Sequence, residues 1–298
     1  MPPKAWNELD ERGSPTLIRA IRWIALNLGR AGTRLLLPPI TAYFVIAAPT
    51  ARRASREYLR RIGMAGSLWQ VARHIHCFAA TILDRVFLLT DRIESLDIHL
   101  HGAELLDTSL RDGRGCVMIG SHLGSFEVLR ALAINRQGLA LKVLMQPEHN
   151  QIVTDLLHAL NPSVADTVIP LGGFDSLLRA HEAIEQGDVI GMLADRHAPG
   201  DPFVECDFLG APARFPVGPW QAAAALKAPV LLFFGLYRGG NRYDIHFELM
   251  AHRLEIPRQN RVQATNAYVQ QYVDRLSHHG RLAPYNWFNF YPFWSKRG

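Results

Sequence analysis

The chain has 298 residues, 48% of them hydrophobic, enough to bury a sizeable core in one catalytic domain with a helical appendage. Its three cysteines, Cys77, Cys116 and Cys206, are far apart and form no CxxC pair, which excludes a disulfide framework or a zinc knuckle and fits a reducing compartment. Lys and Arg outnumber Asp and Glu by 32 to 27, a surplus whose placement decides its partner.

Residues 1–16 carry Glu8, Asp10 and Glu11 and lack the basic start and apolar core of a secretory signal. Residues 17–30 place Leu17, Ile21, Ile24, Ala25 and Leu28 on one helical face, with Arg19, Arg22 and Arg30 outside it. Arg34 follows, and then Arg52, Arg53, Arg56, Arg60 and Arg61, interleaved with aliphatic and aromatic residues. This arrangement favours a membrane surface over nucleic acid. The uncharged stretch 35–51 would span only about 25 Å as a helix, and Pro38 and Pro39 interrupt it. It suits either marginal membrane insertion or a helical layer packed on the rest. The helical pattern continues over about 55–89, with Gly63 and Gly66 marking a break. The expected division is therefore a helical, membrane-associating segment over 1–95 and an α/β domain over 96–298.

From residue 115 short apolar runs alternate with amphipathic stretches. GCVMIG, ALKVLM (140–145), TVIP (167–170), DVIGMLA (188–194) and PVLLFFGLY (229–237) read as buried strands. Helical stretches at about 125–136, 148–160, 174–186, 217–227 and 260–279 lie between or after them. The expectation is an α/β fold with a central mixed, mostly parallel sheet flanked by helices.

The chemistry concentrates in Gly120-Ser121-His122-Leu123-Gly124-Ser125-Phe126-Glu127, between a strand and a helix. Ligands of open α/β sheets collect at such carboxyl ends. A histidine there can accept a proton from a hydroxyl, and a carboxylate one helical turn on can fix its tautomer, so His122 is the candidate base and Glu127 its orienter. Gly120 and Gly124 allow tight backbone geometry, and Ser125 can cap the helix, leaving amides to face developing negative charge. Taken alone, the turn equally suits a histidine that packs and a glutamate that complements the helix dipole.

His122 to Glu127 match the H-x4-D/E motif of glycerolipid and lipid A acyltransferases. Together with the apolar N-terminal segment and ADRHAPGDPFVECDFLGAPARFPVGPWQAAAALKAPVL at 194–230, they make the chain resemble the bacterial lipid A biosynthesis lauroyl/myristoyl acyltransferase family. The resemblance implies a glycerolipid acyltransferase-like fold and O-acyl transfer to a lipid or glycolipid hydroxyl at the cytoplasmic face of the bacterial inner membrane. The donor would be a thioester of acyl carrier protein or coenzyme A, with no metal, no other cofactor and no nucleic acid.

It also implies a role for Asp195, with Arg196 beside it able to pair with a phosphate of a pantetheine arm or an acceptor lipid. A strand-end salt bridge is the local alternative. Where relatives often carry Arg-Pro, this chain has Gln146-Pro147, so an arginine contact is missing and the acceptor stays open; Arg196, Arg214 or Lys142 are the candidate replacements. Gly124, Ser125, Gln146 and Arg214 complete the expected substrate-binding set.

Three other assignments are weaker. Cys116 lies on an apolar strand and reads as an inert thiol. A metal-dependent hydrolase would use His122, Glu127, His149 and Asp195, whereas His74, His76, His278 and His279 make no convincing ligand set. A membrane-attached binding or assembly protein would keep the fold without the chemistry. The aromatic run 284–294 suits an acyl pocket, a lipid interface or a tail packed over the core.

Overall fold

The computed structural model describes residues 27–90, 92–135, 140–145 and 167–294. Gln146, His149, the expected helix at 148–160 and most of the amphipathic stretch 17–30 lie outside the described residues.

Helix formation follows the proline and glycine punctuation of the first ninety residues. After helical residues 27–34, α1 (Leu37–Ala47) starts on the proline pair, and α2 (Pro49–Arg61) starts on a third proline, the position where a missing N–H costs least. Gly63 and Gly66 take positive φ at the expected break. α3 (Leu68–Leu89) then opens with a capping box in which Ser67 and Gln70 exchange side-chain and backbone bonds. Among the described residues no helix is long and apolar enough to cross a membrane.

Several of the N-terminal arginines face the protein. Arg30 is bidentate to the buried Asp84 on α3 at 2.8 and 2.9 Å, and Tyr243 donates to the same carboxylate at 2.9 Å. Arg34 bonds the Tyr237 hydroxyl at 2.6 Å, and Arg52 bonds the Val45 and Ile46 carbonyls at the end of α1. These bonds pin the helices to one another and to the sheet, so only part of the expected basic surface, such as the exposed Arg53 and Arg60, points outward.

The sheet uses β1 (Asp97–His101), β2 (Val117–Gly120), β3 (Leu141–Met145), β4 (Val168–Pro170), β5 (Val189–Leu193), β8 (Val230–Gly239) and β9 (Arg242–Ala251), in the order β1-β9-β8-β2-β5-β3-β4. Every neighbouring pair is parallel except β8 with β9. Intervening helices are α4 (Ala103–Ser109), α5 (Glu127–Asn135), α6 (Gly173–Glu185) and α7 (Gly218–Leu226), with α8 (Arg261–Leu282) after β9. A separate antiparallel hairpin, β6 (Phe203–Phe208) with β7 (Ala211–Pro216), lies between β5 and α7.

Alternation along the strands divides the core into two layers. Val117, Ile119, Ile190, Leu232 and Phe234 pack on one face with Trp220 of α7 and Tyr272 of α8. Cys116, Met118, Val189, Leu231 and Phe233 pack on the other with Leu83 and Leu88 of α3 and Leu129 of α5. The described sheet is thus α/β, mixed and mostly parallel, with β2 near its centre delivering residues 121–126 at its carboxyl end.

Candidate active site

His122 leaves β2 on a turn that the backbone binds from three sides. Gly124 adopts φ +77°, and a Cβ there would lie 1.9 Å from the Gly235 carbonyl oxygen, so the close approach of the turn to β8 requires glycine. The Gly124 N–H donates to Asn286 O at 2.8 Å, the Ser125 N–H to Gly235 O at 2.8 Å, and Phe288 N–H to His122 O at 2.8 Å. Tyr272 reaches from α8 to donate to Gly120 O at 3.0 Å.

The carboxylate bonded to His122 is Asp195, at the end of β5 and 73 residues away in the chain. His122 Nδ1 lies 2.8 Å from Asp195 Oδ1, and the His122 backbone N–H donates to both carboxylate oxygens at 3.1 Å. Parallel pairing of β2 with β5, in the register Gly120 to Leu193, sets these two strand ends side by side. Trp287 Nε1 and Asn289 Nδ2 donate to Asp195 Oδ2 at 3.1 and 2.9 Å. Asp195 is therefore fully buried yet saturated with donors.

Glu127 is engaged differently from the expected His122–Glu127 pairing. It lies in the first turn of α5, where its carboxylate accepts from Arg130 Nε at 3.1 Å, and Arg130 continues to the Thr167 hydroxyl. Both side chains of this ion pair are nearly buried. The spacing that places Glu127 at the start of the helix also aims it along the helix at Arg130. The backbone amides of residues 122, 124 and 125 are bonded within the protein. Ser125 makes no capping bond: its Oγ is buried without a partner.

Electrostatics follow from this arrangement. Burial works against ionising Asp195, but His122, their hydrogen bond, Arg196 and Asn289 together hold its pKa at about 2. Burial and then the Arg196 charge press the His122 pKa below 6.5, against the opposing pull of Asp195. The imidazole is thereby neutral near pH 7, with Nδ1 facing the carboxylate as the protonated nitrogen. No described residue bonds Nε2, and a quarter of the side chain is exposed.

The remaining expected residues separate into two groups. Arg196 lies at the site, but its Nε donates to Asn289 Oδ1 at 2.7 Å and one terminal nitrogen to Phe288 O at 3.0 Å, tying down the C-terminal segment. Arg214 is exposed on β7 and stacks over Phe203, and Lys142 pairs with Asp188 at 2.9 Å. Burial raises the Cys116 thiol to about 12, consistent with an inert cysteine. His74 is a strut between Ser55 Oγ and Trp287 O, each at 2.9 Å, and burial lowers its pKa to about 4.

Trp287 and Asn289, the two neutral donors to Asp195, were not anticipated. Their signal was the pair Asn286 and Asn289, polar residues set into an otherwise aromatic run. The run also packs: Trp294 stacks on Phe208 with centroids 5.7 Å apart.

A histidine with a buried carboxylate on one ring nitrogen and no described residue bonded to the other, at the carboxyl end of a central parallel strand, is an arrangement in an α/β protein that suits general-base chemistry. Residues 67–294 match the family described as bacterial lipid A biosynthesis acyltransferase, and the chain belongs to that family. Two curated relatives, each a phosphatidylinositol mannoside acyltransferase, come from Mycobacterium tuberculosis strains CDC 1551 / Oshkosh and ATCC 25618 / H37Rv. Each is 24% identical over 205 residues, or 67% of this chain and 60% of the relative. The match therefore spans less than two thirds of their length.

Proposed function

We propose that this protein is an O-acyltransferase that moves a fatty acyl chain from a thioester of acyl carrier protein or coenzyme A to a hydroxyl of a lipid or glycolipid. The observation that carries the reading is the 2.8 Å bond between His122 Nδ1 and a buried Asp195, with Nε2 unbonded by any described residue. Family membership and the relatives' printed activity support the substrate class.

In the proposed step, Nε2 takes the proton of the acceptor hydroxyl while its oxygen attacks the thioester carbonyl. Asp195 stabilises the imidazolium as it forms. Collapse of the tetrahedral intermediate breaks the C–S bond, and the imidazolium returns the proton to the leaving thiolate. No acyl-enzyme and no metal are needed. Asp195 thus takes the orienting role, and the Glu127–Arg130 pair fixes the helix behind the turn.

The helical segment up to residue 95 is proposed to bring the α/β part, 96–298, to the cytoplasmic face of the inner membrane. In support, Leu35, Tyr43, Ile46 and Trp69 are 78%, 57%, 76% and 66% exposed.

The test compares lipid extracts of cells expressing the wild type, His122→Ala or an empty vector by mass spectrometry. A new ester species with the wild type alone supports transfer, and its mass reports donor and acceptor. Identical profiles from wild type and variant would remove His122 from catalysis and favour a binding protein.

A further inference from the structure

α3 meets the site along one face. His74 bonds Trp287 O, and one turn later Phe78 packs on Phe288 and Phe290, with ring centroids 5.3 Å from each. Residues four and seven positions further along a helix return to the same face, which places Ile82 and Arg85 on the face of α3 that, at His74 and Phe78, meets the C-terminal segment. That segment carries Asn289, which joins Asp195 to Arg196.

Arg85 differs from the other arginines around it. Arg130 is held by Glu127, Arg196 by Asn289 and Phe288 O, and Arg30 by Asp84, the residue next to Arg85 in the chain. Arg85 is half-buried and makes no hydrogen bond or ion pair with any described residue. Its charge is nevertheless felt at the site, where it opposes protonation of His122 and adds to the positive field on Arg196. Among the described residues, the carboxylate that acts on Arg196 is Asp195, already bonded by His122, Trp287 and Asn289. A half-buried unpaired cation is an electrostatic cost to the folded chain, relieved when an anion arrives.

We propose that Arg85 is a substrate-binding residue that receives a phosphate group beside His122. Resting on the transfer reading, this deepens it. The donor of that reaction carries such a group on its pantetheine arm, a phospholipid acceptor would carry one in its headgroup, and a guanidinium recognises either through the same charge-assisted bonds. Arg85 also supplies a cation in a chain that has Gln146 where an arginine was expected.

Equilibrium binding tests this without turnover. Coenzyme A and phosphatidylinositol in neutral detergent micelles are titrated separately into the wild type, Arg85→Gln, Arg85→Lys and His122→Ala. The expected result is that the wild type binds at least one probe, Arg85→Gln binds that probe about 10-fold or more weakly, and Arg85→Lys keeps much of the affinity. The probe affected tells donor from acceptor. Ester formation by the wild type and His122→Ala, followed in the same preparations, reads a failure of transfer chemistry separately from binding. The melting temperature of Arg85→Gln should equal or exceed that of the wild type, because no partner is lost. Unchanged affinity of Arg85→Gln for both probes, binding of neither probe by the wild type, or a lowered melting temperature in both Arg85 variants would overturn the assignment.

Discussion

Among the described residues are two buried histidine–carboxylate pairs of almost the same length, and they differ in which partner faces outward. His122 meets Asp195 at 2.8 Å and His279 meets Glu248 at 2.7 Å. In the first pair the carboxylate is fully buried and the histidine is a quarter exposed. In the second the exposures are reversed, with His279 at 2% and Glu248 at 25%. His279 presents Nε2 to Glu248, stacks on Phe234 at 4.2 Å and leaves a buried Nδ1 without a partner. Glu248 is also clamped by both arms of Arg275 at 2.7 Å. A short bond between imidazole and carboxylate is thus not a catalytic signature by itself. What distinguishes the site is an inner carboxylate satisfied by neutral donors and an outer histidine with a nitrogen to spare.

Substitutions can break that contrast. The largest effect is expected for His122→Ala, which should reduce ester formation by about 10³-fold or more, whereas His279→Gln should leave the rate per folded molecule within about 3-fold. An assay of both variants, normalised by circular dichroism, measures the difference. Gly124→Ala comes next. The added methyl meets the Gly235 carbonyl and the residue must keep φ +77°, so the loss of stability should reach about 3 kcal/mol or more, read as a lowered denaturant midpoint.

Acid titration has a comparable but graded effect. His74 protonates in the unfolded chain at about 6.5 but in the folded chain only at about 4, so its neutral burial is fully stabilising above pH 6.5 and that contribution is lost as pH falls from there toward 4. Over that interval the wild type should lose on the order of 3 kcal/mol from this residue. His246, lowered to about 4 by burial, His279 and His101, adds in the same direction. His74→Gln, which keeps hydrogen-bonding atoms without the titration, should flatten the decline in denaturation midpoints between pH 7 and pH 4.

Much of the fold was legible because buried strands announce themselves as apolar runs. The five runs beginning at residues 115, 140, 167, 188 and 229 coincide with β2, β3, β4, β5 and β8. The prolines and glycines of residues 38–66 punctuated the helices as expected. β1 escaped because it is an edge strand, DIHLH, with no buried residue, and β9 because RYDIHFELMA mixes charge into an alternating pattern that a nearby carboxylate and arginines satisfy. His122 stood out in its glycine-bounded turn. Its partner did not, because local spacing offers Glu127 five residues on, while Asp195 is brought close only by the parallel register of β2 with β5. Trp287 and Asn289 are more distant still. Their role depends on the C-terminal segment returning along the turn, with Phe288 N–H bonded to His122 O.

The most direct test of the central claim is the pH dependence of ester formation by purified wild type and Asp195→Asn with a thioester donor and an acceptor identified from lipid extracts. In the wild type the acid limb should lie below pH 6.5, as burial and Arg196 lower the His122 pKa, and activity should be full near pH 7. Asp195→Asn, folded but without the charge that fixes the imidazole, should be slower by about 10²- to 10⁴-fold throughout. A folded Asp195→Asn protein whose rates overlay those of the wild type would contradict the account.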